Sequence, residues 1–301
     1  MKRFGDKIRK LREDRKLTRE ELCEDETVIS TRQLARIESG ISIPNLSRVL
    51  YIAERLDVTV GELTDGRSLE LPKRYKELKY LILRTPTYAD GERVILKEQQ
   101  LEEISVQFYD NLPEDEKLVI DTLQAKYDVH FSDNISFGQA IIEDYFDQIG
   151  KKDRYQVNDL ILIDLYFIDV LYKIRQKEKV DLEFCNRLLD KLIFQKDDLD
   201  LEVLFVLNNL LLNLCSLYME MEDIQRLKTI LKTCHHIMSK IQDFQKAPIL
   251  HMINWKIQLL FLENRKQAVI YYEQAILFSQ MMGDQHLEKK LHEEWLKDSA
   301  T

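Results

Sequence analysis

The 301-residue sequence predicts an all-α protein of two domains. It contains only 8 Gly and 5 Pro, which favours long helices with short connections over an extended β architecture. A chain of this length exceeds what one small hydrophobic core organises. Apolar residues recur at helical spacing along almost the whole chain, first in short segments and later in segments of about 15–20 residues. We therefore predict a small N-terminal helical domain followed by a larger one.

The second and third predicted helices are bounded by clear capping signals. Thr18 and Glu21 form a capping box at the start of one helix. Ser30 is the predicted N-cap of the next helix, residues 31–38, and Gly40 ends it. Two short capped helices in this order predict a helix-turn-helix.

The helix 31–38 has one apolar face and one polar face. Leu34 and Ile37 lie three residues apart and are expected to face the core. The residues expected to point outward are Thr31, Arg32, Gln33 and Arg36. Arg and Gln side chains suit the acceptor-rich edges of guanine and adenine. We predict that Arg32, Gln33 and Arg36 approach bases or flanking phosphates of DNA, and that Ser30 and Thr31 anchor its backbone.

The flanking segments complete a set of five short helices. Ile8 and Leu11 mark the first, and a fourth is predicted to carry Ser47, Leu50, Ala53 and Leu56 on one stripe. The five helices together resemble the Xre/Cro-type DNA-binding domain, which implies that residues 1–66 bind DNA. Compared with the common pattern of that family, the stretch from Leu22 to Glu38 is about one residue longer, and its turn lacks the customary Gly.

After a linker at 67–72, residues 73–301 read as paired helices with tight turns, the pattern of an α-solenoid. The end of the chain resembles the second helix of a tetratricopeptide repeat, with Ala268, Tyr272, Ala275 and a closing Gly283. No strict 34-residue period is visible, so the repeats are degenerate. We predict helices near 73–84, 93–110, 114–128, 136–149, 157–177, 182–195, 200–220, 223–241, 247–263, 266–282 and 284–297.

Charge is divided unevenly between the two parts. Residues 1–66 hold 13 Lys and Arg against 13 Asp and Glu, so the whole formal charge of −9 lies in the remainder. An acidic remainder repels a phosphate backbone, which confines DNA contact to the first domain. The four isolated cysteines and the lack of an apolar N-terminal segment predict a reduced, cytoplasmic protein without a membrane span.

Three amides interrupt the apolar helix near 200–220, namely Asn208, Asn209 and Asn213. Each is either a satisfied amide between helices or a group offered to the main chain of a bound peptide. A buried unpaired amide costs about 1–3 kcal/mol, so three within six positions favour the second interpretation for at least one.

The sequence gives no positive sign of catalysis. It has no Gly-rich phosphate loop, no G-x-S-x-G and no H-E-x-x-H, and its histidines lack partners at metal-ligand spacing. We predict no enzymatic activity, no metal and no cofactor.

An Xre-type domain followed by degenerate tetratricopeptide-like helices resembles the Rgg/PlcR/PrgX peptide-pheromone receptors, and within them the ComR-type competence regulators of streptococci. The stretches that carry this resemblance are 22–23, 32–40, 51–56, 86–88, 111–116 and 158–164.

The resemblance implies a transcriptional activator of competence genes. It would bind a short imported hydrophobic peptide, pass from monomer to homodimer and then bind promoter DNA. Thr87, Lys97 and Asn208 match positions that line the peptide pocket. Ile249 replaces a small polar residue of relatives, and Ala89 stands where relatives can carry Arg; these two departures bear on the identity of the peptide and not on the existence of a pocket.

The charge split also suggests how such a protein is held inactive. Arg32 and Arg36 lie on a neutral domain beside an acidic one, joined by a short linker. The best candidate latch is the acidic turn formed by Glu114, Asp115 and Glu116, which follows Pro113 and is expected to be exposed.

Two other classes stay open. One is a DNA-binding repressor whose helical domain docks a partner protein, and a peptide that stabilises the protein against heat would argue against it. The other is an enzyme regulated by its DNA-binding domain.

Overall fold

A computed structural model describes residues 2–66, 69–132 and 135–300, which contain sixteen α-helices and no β-strand. The all-α prediction is thus confirmed. The chain divides into two compact units. Unit 1 comprises residues 1–86 and 91–153, and unit 2 comprises residues 87–90 and 154–301.

Unit 1 begins with five short helices, as predicted. They are α1 (Lys2–Asp14), α2 (Arg19–Cys23), α3 (Thr31–Glu38), α4 (Leu46–Arg55) and α5 (Val60–Thr64). Thr18 and Glu21 form the predicted capping box, and Gly40 follows α3 with a φ of 75°. The helices enclose one core of Ile8, Leu22, Cys23, Ile29, Leu34, Ile37, Val49, Ile52, Ala53, Leu56 and Leu63.

The buried face of α4 differs from the predicted stripe. Val49, Ile52 and Ala53 are buried, whereas Leu50 is 52% exposed. The reason is geometric: a spacing of three residues falls short of the 3.6-residue turn, so the stripe that starts at Ser47 drifts around the helix. Helices keep one face only when steps of three and four alternate.

A buried carboxylate ties α1, α2 and α3 together. Glu38 has no exposed surface, and its side chain accepts from Arg12 Nε at 2.6 Å and from Arg19 Nε at 2.9 Å. A buried charge is tolerated only when it is paired and hydrogen-bonded. This network fixes the C-terminal end of α3 in the small domain.

The rest of unit 1 consists of α6 (Lys73–Arg84), α7 (Gly91–Gln107), a 3₁₀ turn (Tyr109–Asn111), α8 (Glu114–Ser132) and α9 (Ser136–Lys151). Pairs of these helices pack against one another, α6 with α7 and α8 with α9. The predicted linker at 67–72 lies inside unit 1, and its residues 67 and 68 lie outside the described residues. The boundary at that linker stays a prediction.

Unit 2 holds seven further helices near the predicted positions. They are α10 (Val157–Arg175), α11 (Leu182–Phe194), α12 (Leu201–Glu220), α13 (Ile224–Ile241), α14 (Ala247–Leu260), α15 (Arg265–Met281) and α16 (Gln285–Ser299). From α12 onward each helix packs on the next. Ala268 and Ala275 are fully buried, which lets α15 pack closely on its neighbours.

Helix α12 forms the centre of unit 2. By length and composition it is apolar enough to cross a membrane, the one such helix in the described part of the chain. Within the protein 72% of its apolar window is buried, and a core helix passes the same test.

Gly5 generates the first testable prediction. A Cβ at this position would overlap the main-chain oxygens of Ile37 and Glu38, so α1 packs on α3 only because Gly5 has no side chain. We expect Gly5→Ala to lower the free energy of unfolding by about 1–3 kcal/mol, as for other overpacked core sites. Chemical denaturation measures this change.

Gly61→Ala is the matched control. Gly61 lies inside α5, where a Cβ would only reach Thr59 Oγ1 at 3.9 Å. Ala favours a helix interior over Gly, so this variant should be neutral or more stable by up to about 1 kcal/mol. Equal stabilities for the two variants would contradict the close approach of α1 and α3.

Candidate functional site

The N-terminus of α3 is capped twice. Ser30 Oγ accepts from the Gln33 N–H at 3.2 Å, and Gln33 Oε1 accepts from the Ser30 N–H at 3.1 Å. The Glu26 carboxylate, from the turn before the helix, accepts from both the N–H and the hydroxyl of Thr31 at 2.9 Å. These bonds to Thr31, with Lys151 at 3.0 Å, lower the pKa of Glu26 to about 2. Glu26 is therefore an anion at the start of the recognition helix.

Both arginines on the outer face of α3 meet carboxylates of α8 and α9. Arg36 Nε lies 3.2 Å from Glu114 Oε1, and Arg32 Nη1 lies 3.0 Å from Asp144 Oδ1. The Asp144 hydrogen bond raises the pKa of Arg32. On α4, Arg48 Nη1 lies 3.7 Å from Asp115 Oδ1. The DNA-facing residues predicted from the sequence thus lie against acidic side chains of unit 1.

The prediction that residues 114–116 form an exposed acidic turn is wrong. Glu114 is only 8% exposed because Arg36, Ser42 and Tyr145 all contact its carboxylate. Glu116 is also buried, and it turns to α6, where Tyr75 and Lys79 bind it.

Asp115 lies between Glu114 and Glu116 in the chain and has partners of its own. It accepts from Asn45 Nδ2 at 2.5 Å and pairs with Arg48, so it contacts α4 and its N-cap. Of the three predicted latch carboxylates, Glu114 and Asp115 contact the helix-turn-helix, and Glu116 binds α6.

Gln33 does not point into solvent as predicted. Its side chain is 6% exposed, because Oε1 caps Ser30 and Nε2 donates to Gln148 Oε1 of α9 at 3.1 Å. Both ends of this amide are thus engaged in hydrogen bonds in this state. Its contact with DNA stays a prediction.

A cavity of about 240 Å³ separates the outer face of α3 from α9. Its lining is almost entirely polar or charged and consists of Glu26, Ser30, Thr31, Arg32, Gln33, Arg36, Glu114, Asp144, Tyr145, Asp147, Gln148 and Lys151. The surface of α3 that would read DNA therefore faces α9 across this cavity in the present structure.

Several of these residues were not predicted from the sequence. Asp144, Gln148 and Lys151 lie on α9, more than a hundred residues from their partners in the chain. Their spacing at i, i+4 and i+7 places them on one polar face, which is the only sequence signal. Nothing local indicates that this face meets α3.

The predicted peptide-binding residues are distributed over both units. Thr87, Asn208 and Ile249 belong to unit 2, and Lys97 lies on α7 of unit 1. Burial, together with the charge of Lys126, lowers the pKa of Lys97 to about 8. A partly desolvated ammonium gains from an anionic partner.

Thr87 begins a short segment, residues 87–90, that packs on the helices of unit 2. The Thr87 carbonyl accepts from the Asp90 N–H at 2.8 Å. Tyr88 donates its hydroxyl to the Gln245 carbonyl at 3.2 Å, and His286 Nε2 lies 3.1 Å from the Tyr88 carbonyl. Thr87 is therefore held at a fixed position on unit 2.

The three amides of α12 behave differently. Asn213 donates to both carboxylate oxygens of Asp164, at 3.2 and 3.0 Å, and is thus a satisfied amide between helices. Asn208 is 2% exposed, and its Oδ1 has no hydrogen-bond partner. Asn209 Oδ1 is likewise inaccessible and unpaired. Asn213 therefore fits the first interpretation, and for Asn208 and Asn209 the second interpretation stays a prediction.

Among the described residues, no group of three or more His, Cys, Asp or Glu is placed to hold a metal ion. All four cysteines are buried and free.

Comparison with known families and structures matches both parts of the chain. The ComR tetratricopeptide family model matches residues 72–295, and a helix-turn-helix family model matches residues 8–63. ComR from Streptococcus suis is 35% identical, with a TM-score of 0.84 over 99% of this chain and 96% of that chain. No curated protein sequence matched.

Two structures of ComR from S. thermophilus are also similar. The apo form is 29% identical, with a TM-score of 0.84 over 99% of both chains. The complex with DNA and its signalling peptide ComS is 30% identical, with a TM-score of 0.69 over 98% of this chain and 99% of that chain. The present structure is thus more similar to the apo form than to the complex.

Proposed function

The chain belongs to the ComR family of competence regulators, and on this premise we propose that it is a cytoplasmic quorum-sensing activator that binds a short hydrophobic peptide and then promoter DNA. Its family is one of transcription regulators with a helix-turn-helix and a tetratricopeptide-like domain. The observation that carries the proposal is the match over both parts of one chain. A homodimer is the proposed DNA-bound form, because two-fold proteins pair with pseudo-palindromic sites.

The proposed DNA-reading surface is the outer face of α3. The S. thermophilus relative was solved in complex with DNA, which supports this role for the helix-turn-helix. Arg32 is 61% exposed in its side chain and Arg36 is 39% exposed, so both are able to exchange a carboxylate for a base edge or a phosphate.

The proposed inactive state is the one described above. Asp144, Glu114 and Asp115 pair with three of the four arginines that α3 and α4 carry, namely Arg32, Arg36 and Arg48, and an arginine paired with a carboxylate is not available to DNA. The Arg32–Asp144 pair is exposed, and such a pair contributes about 0–1 kcal/mol, whereas the other two pairs are partly buried; together the three hold a closed state by a few kcal/mol. Peptide binding has to favour the open form by a comparable amount.

The proposed peptide site includes Thr87, Lys97, Asn208 and Ile249. The Lys97 ammonium is a partner for a terminal carboxylate or an acidic side chain of the peptide. Asn208 Oδ1, unpaired in the free protein, is an acceptor for a main-chain N–H.

Within the proposed function, the first prediction concerns α3. Arg32→Ala should weaken binding to the DNA upstream of the gene by about 1–3 kcal/mol in the presence of peptide, because a bidentate base contact is lost. Asp144→Asn is the matched control, because it removes the carboxylate of the same ion pair and leaves Arg32 intact. Gel shifts measure both. Unchanged DNA affinity of a folded Arg32→Ala protein would show that another face of α3 reads the DNA.

A second prediction concerns autoinhibition. Glu114→Gln removes the charge that faces Arg36, and DNA binding without peptide should rise about 5- to 30-fold, the factor that corresponds to 1–2 kcal/mol. Glu116→Gln changes the same charge in the same turn of α8 but affects contacts to α6, and should leave DNA binding as it is. Equal effects of the two variants would refute the specific contact.

The third prediction concerns the peptide. Lys97→Ala and Asn208→Ala should each lower the affinity for a synthetic peptide of about seven to ten residues encoded beside the gene, by roughly 1–3 kcal/mol in isothermal titration. Asn213→Ala serves as a control, because Asn213 is satisfied by Asp164. Full affinity in both variants would rule out this pocket. If no peptide stabilises the wild-type protein against heat, a repressor that docks a partner protein becomes the better assignment.

A further inference from the structure

A second pair of unpaired polar atoms in unit 2 lies on α14 and α15, away from α12. They are His251 Nδ1 and Gln274 Oε1, both inaccessible to solvent and without a hydrogen-bond partner. Buried polar groups in folded proteins are almost always hydrogen-bonded, and each exception needs an explanation.

Ring stacking fixes the position of His251. Its ring stacks on Phe278 with centroids 5.4 Å apart and on Tyr271 with centroids 6.1 Å apart. Both aromatic residues belong to α15, so His251 spans the seam between α14 and α15. The side chain has little freedom to turn its Nδ1 towards another partner.

Gln274 lies on the same face of α15. Tyr271, Gln274 and Phe278 are spaced at i, i+3 and i+7, which places them on one side of a helix. Because His251 stacks on the first and the last of them, Gln274 lies on the face of α15 that His251 meets. The two unpaired atoms thus belong to the same seam between α14 and α15, which Tyr271 and Phe278 flank.

The imidazole is neutral at physiological pH. Burial, with a smaller effect of His235, lowers the pKa of His251 to about 4. A neutral imidazole with its proton on Nε2 presents Nδ1 as an acceptor. Together with Gln274 Oε1 it forms a pair of acceptors.

We propose that His251 and Gln274 form a polar subsite for the peptide, which accepts hydrogen bonds from its N–H groups, either main-chain amides or a donor side chain. The inference rests on the proposed peptide-binding function and extends it to residues that the sequence did not indicate. The subsite selects a ligand segment that is flat and apolar enough to meet the rings and carries at least one N–H donor. Asn208 and Asn209 on α12 add acceptors of the same kind, and α12 packs on α14.

A ligand-binding role and a purely structural role of these two residues predict opposite effects of substitution on the stability of the free protein. An unpaired buried acceptor destabilises the free protein, and an apolar group of similar shape removes that cost. His251→Phe keeps the ring stack, and Gln274→Met keeps the length of the side chain. Both variants should therefore melt at the same temperature as the wild-type protein or about 2 °C higher.

The test begins with the wild-type protein and synthetic hydrophobic peptides of about seven to ten residues encoded beside the gene, with ComS included. The peptide that raises the melting temperature most is then titrated into each variant by calorimetry. We expect His251→Phe and Gln274→Met to bind it about ten-fold more weakly, since each leaves a peptide N–H unpaired. Gln274→Glu keeps the acceptor and should bind more tightly than Gln274→Met. Gln280→Met, at an exposed position of the same helix, should bind as the wild-type protein does.

A coupling measurement identifies the donor. Single N-methylation along the peptide should reveal a position at which affinity falls with the wild-type protein but falls no further with Gln274→Met, the signature of one shared interaction. Equal peptide affinity of the wild-type, His251→Phe and Gln274→Met proteins would overturn the subsite. A clear fall in the melting temperature of the free variants would also overturn it, because the two atoms would then be satisfied without a ligand. If no peptide stabilises the wild-type protein, the proposed function itself fails, and the subsite fails with it.

Discussion

In the proposed mechanism, the carboxylate of Glu114 is the constraint on which the state of α3 depends. It lies at the N-terminus of α8, where the helix dipole favours an anion, and it is 8% exposed. A charge so deeply buried needs partners, and Arg36, Ser42 and Tyr145 supply them. Arg36 is also a residue that α3 would offer to DNA. In the proposed mechanism, Arg36 leaves Glu114 when α3 enters the major groove, so DNA binding competes with this contact.

The remaining ion pairs around α3 also favour the closed state, and each of them contributes little free energy. Arg32 pairs with Asp144 at a largely exposed position, and Lys151 binds Glu26 at the start of the helix. Exposed pairs of this kind are weak and are screened by salt. Their sum holds the closed state, while any single pair can break without much loss. Such an arrangement suits a switch, because a modest ligand-dependent free energy is enough to reverse it.

Local rules predicted the helices well and the tertiary partners poorly. Thr18 and Ser30 cap their helices as expected, because a cap depends on residues only a few positions apart. Glu114 is buried although the sequence predicts an exposed turn after Pro113, because such a turn is exposed only where no other element covers it. The acids of α9 and the orientation of Gln33 depend on the packing of α3 against α9, for which no sequence signal exists.

The unpaired acceptors of unit 2 are a source of binding free energy for a peptide. A ligand shifts an equilibrium only through its differential affinity for the two states, and unpaired acceptors in the free protein are one source of such affinity. Asn208, His251 and Gln274 each keep an inaccessible atom without a partner, at about 1–3 kcal/mol apiece. A peptide that satisfies two or three of them recovers several kcal/mol, which is comparable to the sum of the weak ion pairs around α3. The polar defects in one unit and the ion pairs in the other are thus matched in scale, as a reversible switch requires.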